Sequence, residues 1–317
     1  MEKLSWIRDL AERVRAEIHK SIVGMDTAID SLLISLLVQG HVLIEGVPGL
    51  AKTYLAKAFA NTLSLSFKRI QFTNDLLPSD IVGGMIFDRR SGEFVFRPGP
   101  IFANIVLADE INRGAPRTQS ALLEAMQEFQ VTVEGKTYQL PRPFMVIATQ
   151  NPIELEGTYP LPEAELDRFL VRVLVNYPSR DEEIEILRLK NRHGEELNIS
   201  PVADARQVLE AIDAVKTVYI DDDVLGYIVD IVRESRSLPD VVMGASTRAE
   251  TALLYGSKAY AAMMGRDYVI PDDVKYVTPL ILNHRIILRR QVSSIGREEH
   301  ETMLFARKVL EKVEAPK

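Results

Sequence analysis

One segment constrains the fold of this chain more than any other, and it reads Gly46-Val47-Pro48-Gly49-Leu50-Ala51-Lys52-Thr53. It follows a short apolar run at 41–44 and precedes a helical pattern from Lys52 to about residue 63. Small residues at such a junction let backbone N–H groups face phosphate oxygens, while a lysine neutralises phosphate charge and a hydroxyl can hold Mg²⁺. The segment therefore predicts a phosphate-binding loop between a strand and a helix.

Ala51 stands where the general form of this motif has its last glycine. The Cβ atom of an alanine is tolerable there if φ is negative. On that condition, alanine weakens the match to the motif more than it weakens phosphate binding. The alternative interpretation of the segment is an ordinary tight turn between a strand and a helix. The lysine and threonine that follow favour phosphate binding.

A second strand is predicted to end in two carboxylates. Residues 105–108 are apolar at every position, which is typical of a strand covered by helices on both faces, and Asp109 and Glu110 follow directly. Ligands of α/β sheets bind at the carboxyl ends of strands, where Asp109 suits a water-bound Mg²⁺ and Glu110 suits an attacking water. Alone, such a pair is usually a solvated strand end. After a phosphate loop it predicts nucleotide hydrolysis.

A third apolar run, 145–148, leads into Thr149-Gln150-Asn151-Pro152. The amide of Asn151 at a strand end is suited to orient a water molecule against the terminal phosphate of a nucleotide. The alternative is a turn, since Asn-Pro commonly interrupts regular structure.

The chain divides into two parts of different character. Up to about Pro178, strands and helices alternate, as in an α/β layered domain, with further strands expected at 67–72 and 170–175. Early helices are expected at 4–18 and from an N-cap at Asp26 to a C-terminal Gly40. We therefore predict a core at 1–179 and an all-helical domain at 180–317. The helices expected there are 180–192, 203–217, 221–236, 247–264, 271–283 and 297–314.

Composition narrows the function further. The chain has 45 acidic and 38 basic residues, and a net charge of -7 argues against non-specific nucleic-acid binding. It has no cysteine and five scattered histidines, which exclude thiolate metal sites and disfavour a histidine site. No apolar stretch approaches membrane-spanning length, so we expect a soluble cytoplasmic protein without a membrane span.

These motifs, in this order, resemble the MoxR family of AAA+ ATPases over essentially the whole chain, and alanine before the lysine is usual in that family. The resemblance implies a P-loop α/β core, with a parallel sheet flanked by helices and with β-hairpin inserts, followed by an all-α C-terminal lid. The other segments that carry it are Leu76–Asp80, Phe96–Pro100, Ala108–Arg113, Gln119–Met126, Ala148–Pro152 and Leu161–Phe169.

The resemblance implies ATP or ADP and Mg²⁺ as ligands, with Thr53 and Asp109 holding the metal. The catalytic residues would be Lys52, Glu110, Asn151 and Arg168. The expected nucleotide contacts are Val23, Gly24, Gly46, Val47, Pro48, Gly49, Leu50, Ala51, Lys52, Thr53, Tyr54 and Arg248.

Two arginines take their roles from the resemblance alone. Arg168 resembles the arginine finger that reaches the nucleotide of a neighbouring subunit, with Arg113 and Arg117 as rivals; its alternative is a surface salt bridge with Glu165 or Asp167. Arg248 resembles the lid arginine called sensor 2, which acts on the nucleotide of its own subunit.

Two hairpins are expected as inserts, at about 75–100 and about 130–141. They resemble the helix-2 insert and the pre-sensor insert of this branch of AAA+ proteins, which tend to face a ring's pore or a partner. The alternative for both is surface decoration.

The expected function is Mg²⁺-dependent ATP hydrolysis by a homo-oligomeric ring, expected to be a hexamer, that remodels or matures a protein client. The resemblance also implies a partner with a von Willebrand factor A domain, and nucleic acid is not expected as a partner. The alternatives are an ATP-gated assembly scaffold with negligible turnover, and a motor subunit like those of magnesium chelatase or replicative helicases.

Overall fold

The computed structural model describes residues 3–151, 157–194, 198–289 and 298–316. In chain order, its strands are β1 (Val42–Glu45), β2 (Phe67–Gln71), β3 (Gly83–Asp88), β4 (Glu93–Pro98), β5 (Ile105–Asp109), β6 (Gln130–Val133), β7 (Lys136–Gln139), β8 (Met145–Gln150), β9 (Val171–Leu174), β10 (Val241–Met243) and β11 (Ile287–Leu288). Its α-helices are α1 (Ser5–His19), α2 (Asp26–Leu37), α3 (Lys52–Thr62), α4 (Pro78–Val82), α5 (Pro116–Glu128), α6 (Glu163–Leu166), α7 (Arg180–His193), α8 (Ala205–Lys216), α9 (Asp222–Ser237), α10 (Thr247–Met263), α11 (Pro271–Leu282) and α12 (Glu298–Lys312).

Five strands form one parallel sheet in the order β2-β5-β8-β1-β9. Every residue of β1 and β5 is buried, as their uninterrupted apolar sequences predict. Alternate side chains of β1 enter different apolar clusters: Val42 and Ile44 pack with α1, α2 and α3, whereas Leu43 packs with α5. The prediction of a parallel sheet covered by helices on both faces is confirmed.

The parallel register brings the carboxyl ends of the strands to one edge of the sheet. Glu45 of β1 aligns with Gln150 of β8 and with Leu174 of β9, and Asp109 of β5 aligns with Gln71 of β2. Ligands of parallel α/β sheets bind at this edge. The phosphate loop, the acidic pair after β5 and the polar segment after β8 therefore meet there.

The C-terminal part, from α7 onward, is mainly helical, and its predicted helices agree with the observed ones to within two residues at each end. The structure corrects one detail, because β10 and β11 form an antiparallel pair in which Val241 aligns with Leu288. Strands of three and two residues are too short to leave a hydrophobic period in the sequence.

The two parts of the chain share one apolar cluster. Helix α1 contacts α10, and α2 contacts α8 and α10, so the cluster around Val42 continues into the C-terminal helices. The division at residues 179 and 180 remains a prediction. Within the described residues, no helix is long and apolar enough to cross a membrane.

The structure also corrects both predicted ends of α2. Asp26 is the first helical residue rather than the N-cap, which is Met25 with φ of 63°. The left-handed residue after the helix is Gln39, with φ of 55°, rather than Gly40. Gly40 is needed for space, because a Cβ atom on it would lie 2.8 Å from the Leu170 Cβ. Its lack of a side chain lets α2 end directly against the segment before β9.

Both expected hairpins are present, as β3–β4 and β6–β7. Phe87 and Phe94 face each other across the first hairpin and are largely exposed. Phe96 of the first hairpin stacks on Tyr138 of the second, with ring centroids 3.9 Å apart. This stack joins the two inserts.

Candidate active site

A cavity of about 860 Å³ lies at the carboxyl edge of the sheet. It is bounded by the phosphate loop, the ends of β5 and β8, the segment between α1 and α2, and one face of α7. Its volume falls in the range of small-molecule sites. The wall contains Val23, Pro48, Gly49, Leu50, Ala51, Lys52, Thr53, Tyr54, Asp109, Glu110 and Asn151 from the predicted set.

The phosphate loop wraps around the side chain of its own lysine. The Lys52 ammonium donates to the carbonyl oxygen of Gly46 and to that of Val47, the latter at 3.4 Å. Helix α3 begins at Lys52, so its free N–H groups and the positive end of its dipole lie at the cavity. This loop is suited to bind an anion.

Two loop residues have left-handed backbone conformations. Gly49 has φ of 85°, which suits glycine. Ala51 has φ of 54°, so the condition of a negative φ at this position is not met. A left-handed alanine costs roughly 1–2 kcal/mol, which is a local strain that the surrounding loop and helix hold in place.

Thr53 and Asp109, from motifs 56 residues apart, lie in hydrogen-bond contact, with Thr53 Oγ1 donating to Asp109 Oδ2 at 3.1 Å. Hydroxyl and carboxylate oxygens are the hard donors that Mg²⁺ prefers, and Mg²⁺ completes its octahedron with water and phosphate oxygens. Within the described ranges, no group of three or more histidine, cysteine or acidic side chains forms a metal cage. This donor set therefore fits a magnesium ion that arrives with a phosphate ligand.

Three residues that sequence reasoning missed hold the acidic pair in place. The Thr149 hydroxyl donates to Asp109 Oδ1 and accepts the backbone N–H of Glu110 at 2.9 Å. Arg69 Nε donates to Asp109 Oδ2 at 2.9 Å, and Gln71 Nε2 donates to Glu110 Oε2 at 2.8 Å. Arg69 and Gln71 both lie on β2, which is the neighbour of β5 in the sheet.

Asn151 is buried in the cavity wall at the end of β8, as predicted. Its backbone carbonyl oxygen lies 3.4 Å from the side-chain nitrogen of Asn112. Asn151 and Glu110 thus line the same cavity. Pro152, the next residue of the motif, lies outside the described residues.

The structure does not bring every predicted contact to the cavity wall. Gly24, Gly46, Val47, Arg168 and Arg248 are not among the residues that line it. Gly46 instead packs against Val175, the residue that follows β9. A Cβ atom on Gly46 would lie 2.5 Å from the Val175 carbonyl oxygen. The loop therefore begins in direct backbone contact with the segment that leads to α7.

The predicted arginines differ in their surroundings. Arg168 Nη1 donates to the Leu123 carbonyl oxygen at 3.0 Å, and within the described residues it pairs with neither Glu165 nor Asp167. Arg113, a rival finger, lies 3.2 Å from Glu110 Oε2. Arg117, the other rival, is exposed on the first turn of α5.

Helix α7 supplies apolar residues that were not predicted. Ile186 and Leu189 of α7 line the cavity together with Val23. An apolar wall opposite a phosphate loop is suited to the flat base of a nucleotide. Their helical spacing was visible in the sequence, but nothing in it indicated which face of α7 meets the core.

Comparisons with known proteins agree with this architecture. A family model described as "ATPase family associated with various cellular activities (AAA)" matches residues 41–171, and one described as "AAA lid domain" matches residues 233–303. Among known proteins, YeaC of Bacillus subtilis, described as uncharacterized, is 47% identical over 300 residues that cover 94% of this chain and 92% of that protein.

Two further relatives carry functional descriptions. Chaperone MoxR1 of Mycobacterium tuberculosis is 42% identical over 292 residues, which cover 87% of this chain and 75% of that protein. A crystal structure from Cytophaga hutchinsonii, described provisionally as an ATPase, superposes with a TM-score of 0.89 and 41% identity, covering 100% of this chain and 98% of that one. The phosphate loop, the acidic pair and Asn151 all lie within the segment matched by the ATPase model, and the chain belongs to the MoxR family of AAA+ ATPases.

Proposed function

We propose that this chain catalyses Mg²⁺-dependent hydrolysis of ATP to ADP and phosphate as a subunit of a homo-oligomeric ring, expected to be a hexamer. The observation that carries the proposal is the contact of 3.1 Å between Thr53 Oγ1 and Asp109 Oδ2, with Glu110 adjacent in the same cavity. A phosphate loop, a magnesium-binding pair and a carboxylate for water activation are the parts that phosphoryl transfer to water requires.

Each side chain has a distinct task in this mechanism. Backbone N–H groups of the loop bind the phosphates, and Lys52 stabilises negative charge on the transferred phosphoryl group. Thr53 and Asp109 would hold Mg²⁺, which would supply positive charge to the phosphate oxygens. Glu110 accepts a proton from the attacking water, and Asn151 orients that water.

The two arginines outside the cavity wall are assigned to other stages. Arg168 acts on the nucleotide of the neighbouring subunit, so hydrolysis depends on assembly. Arg248 acts from the lid on the nucleotide of its own subunit once the lid closes. Arg168 is half-buried and does not line the cavity of its own subunit, which supports a role in trans.

The energy of hydrolysis would remodel or mature a protein client in the cytoplasm. The description of MoxR1 as a chaperone supports this proposal. The exposed aromatic pair Phe87 and Phe94 offers the first insert an apolar surface for protein contact. Family resemblance adds a partner with a von Willebrand factor A domain.

The variant Glu110→Gln tests the proposal. Removing the carboxylate that activates water should lower ATP turnover about 100-fold or more, while nucleotide binding is retained, because Glu110 contacts the water rather than the base. Phosphate release and binding of a fluorescent ATP analogue are the measurements. Glu124→Gln on the exposed face of α5 is the matched control. Wild-type turnover by Glu110→Gln with nucleotide bound would refute hydrolysis at this site.

One observation favours a second candidate, an ATP-gated scaffold with negligible turnover. Both carboxylates of the acidic pair are paired with arginines, Asp109 with Arg69 and Glu110 with Arg113. If these pairs persist when nucleotide is bound, the subunits would assemble without hydrolysing ATP. Turnover at saturating ATP and Mg²⁺ separates the two candidates.

A further inference from the structure

The carboxylate of Asp167, the residue before Arg168, contacts two arginines of the C-terminal domain. Arg285 Nε donates to Asp167 Oδ1 at 2.7 Å, and Arg248 Nη1 lies 3.5 Å from Asp167 Oδ2. Arg248 lies in the first turn of α10, and Arg285 follows the end of α11. One side chain of the core therefore joins two separate elements of the lid.

Arg285 is buried, and all of its donors are used in hydrogen bonds at this contact and around it. A guanidinium has five N–H donors, and Arg285 makes five hydrogen bonds. Besides Asp167 Oδ1, its acceptors are the carbonyl oxygens of Ile281 at 2.6 Å, Phe169 at 2.7 Å, Leu170 at 3.0 Å and Asp167 at 3.3 Å.

These bonds fix the backbone on both sides of Arg168. Three of the carbonyl acceptors belong to residues 167–170, so the lid determines the path of the chain at this turn. A planar guanidinium holds its acceptors in one geometry, and removing a partner from such a buried charge is costly. The turn cannot change shape unless Arg285 moves with it.

Arg168 itself is held more loosely. Its Nη1 donates to Leu123, while its buried Nε has no hydrogen-bond partner within the described residues. The orientation of this side chain is therefore set by the Leu123 contact and by the turn that carries it, and Arg285 holds that turn.

We propose that Asp167 is a positioning residue for Arg168. Through Arg285, Asp167 sets the orientation of the arginine that acts on the neighbouring subunit, and the shared contact with Arg248 ties that orientation to the position of the lid. The proposal rests on the proposed function, in which Arg168 acts in trans. It adds that the trans-acting arginine is controlled from the lid of its own subunit.

Mixtures of inactive variants provide the test. Glu110→Gln subunits keep Arg168 but cannot activate water, and Arg168→Ala subunits keep Glu110 but supply no finger. Neither should hydrolyse ATP alone, whereas a mixed ring should regain turnover at sites that combine Glu110 of one subunit with Arg168 of its neighbour. If the mixture regains nothing, the role of Arg168 in trans fails, whatever Asp167 does.

Asp167→Asn is then added to one partner at a time. Asparagine keeps an oxygen for Arg285 but removes the charge. In the Glu110→Gln subunit, which donates Arg168, it should lower the regained turnover about tenfold or more, because small misplacements of a reacting group are costly. In the Arg168→Ala subunit, which has no finger to position, it should lower the turnover much less.

Two outcomes overturn the proposal while leaving the trans role intact. One is full regain with Asp167→Asn in the donor, and the other is an equal loss in either subunit, which would indicate a role within the same site or a general loss of structure. Unfolding temperature and binding of fluorescent ADP are measured on each variant. Asp167→Glu, which keeps the charge, serves if asparagine prevents folding, and the same asymmetry between donor and acceptor is then expected.

Discussion

Thr149 and Asp109 lie at the ends of neighbouring strands, and the Thr149 hydroxyl donates a hydrogen bond to Asp109 Oδ1. The same hydroxyl accepts the backbone N–H of Glu110, which has a left-handed backbone with φ of 55°. One small side chain thus fixes both the proposed metal-binding carboxylate and the backbone of the residue proposed to activate water.

We predict that Thr149→Val, which keeps the shape and removes the hydroxyl, lowers turnover about 10- to 100-fold, as loss of a supporting hydrogen bond at a metal site commonly does. Nucleotide binding without Mg²⁺ should change little. Steady-state phosphate release and fluorescent ADP binding are the measurements. Thr278→Val, at a buried threonine of α11 that bonds its own helix, is the control. Equal turnover in both variants would contradict a positioning role.

A pair of exchanges tests the strained loop. Gly49→Ala forces a Cβ onto φ of 85°, and since that Cβ would contact no atom within 4 Å, the cost is conformational. We expect nucleotide affinity to fall about tenfold, corresponding to roughly 1–2 kcal/mol of left-handed strain. Ala51→Gly relieves strain at φ of 54° and should keep affinity at or above that of wild type. Titration with fluorescent ADP measures both, and the reverse ranking would contradict the observed loop geometry.

Turnover per subunit should rise with protein concentration if Arg168 completes the neighbouring site. Phosphate release is measured across a wide range of protein concentration with saturating ATP and Mg²⁺. Arg168→Ala should abolish the rise, whereas Arg117→Ala, at the exposed rival on α5, should preserve it. A rise that is lost with Arg117→Ala and kept with Arg168→Ala would reassign the finger.

Arg69 should oppose metal binding, because its guanidinium contacts Asp109 Oδ2, the oxygen that Thr53 also contacts. We predict that Arg69→Met tightens binding of Mn²⁺, used as a probe for Mg²⁺, about three- to tenfold in the presence of ADP, since a competing charge is removed. Electron paramagnetic resonance counts free Mn²⁺ directly. Lys68→Met, the adjacent exposed residue of β2, removes the same charge without touching Asp109. Equal effects of the two variants would mean that the change in net charge, rather than the contact with Asp109, accounts for the tighter binding of Mn²⁺.

His41 should make the fold sensitive to acid. It is buried at the start of β1, where Nδ1 accepts the Val146 N–H and Nε2 contacts the Met126 carbonyl oxygen, and burial lowers its pKa to about 4. Between pH 6.5 and about 4, only the unfolded chain binds this proton, so stability is complete above pH 6.5 and is lost as pH falls, by about 3 kcal/mol in all.

The variant His41→Gln isolates this contribution, since glutamine can serve both partners without titrating. Wild type should lose stability more steeply than His41→Gln as pH falls from 7 to about 4.5, measured by chemical denaturation. Burial also lowers the pKa of His284, so His284 adds a loss of stability with falling pH to both proteins alike. Parallel curves would contradict a neutral buried His41.

Local signals made much of this molecule predictable. Neighbouring residues alone are enough to recognise the all-apolar strand at 105–108 and the acidic pair after it. The same holds for the glycine-rich turn before Lys52. The cluster of phosphate loop, acidic pair and Asn151 followed because parallel strands end at a common edge.

Residues whose role depends on strand order were not predictable. In the sequence, Arg69 and Gln71 are ordinary polar residues of a strand. Their contacts with the acidic pair follow only from the position of β2 beside β5 in the sheet. Ile186 and Leu189 likewise depend on the orientation of α7, and the pairing of β10 with β11 joins segments more than forty residues apart. A negative φ was expected at Ala51 from the sterics of its Cβ atom, whereas the residue has the left-handed conformation in its loop.

Gly46 brings the phosphate loop into contact with the segment between β9 and α7. Val175 donates its N–H to the Glu45 carbonyl oxygen at 2.7 Å, and its own carbonyl oxygen occupies the space that a side chain on residue 46 would need. The chain continues from Val175 into α7, so the segment that precedes α7 touches the first residue of the loop. Because Gly46 and Val175 are in direct contact, a displacement of Val175 would also displace the first residue of the phosphate loop.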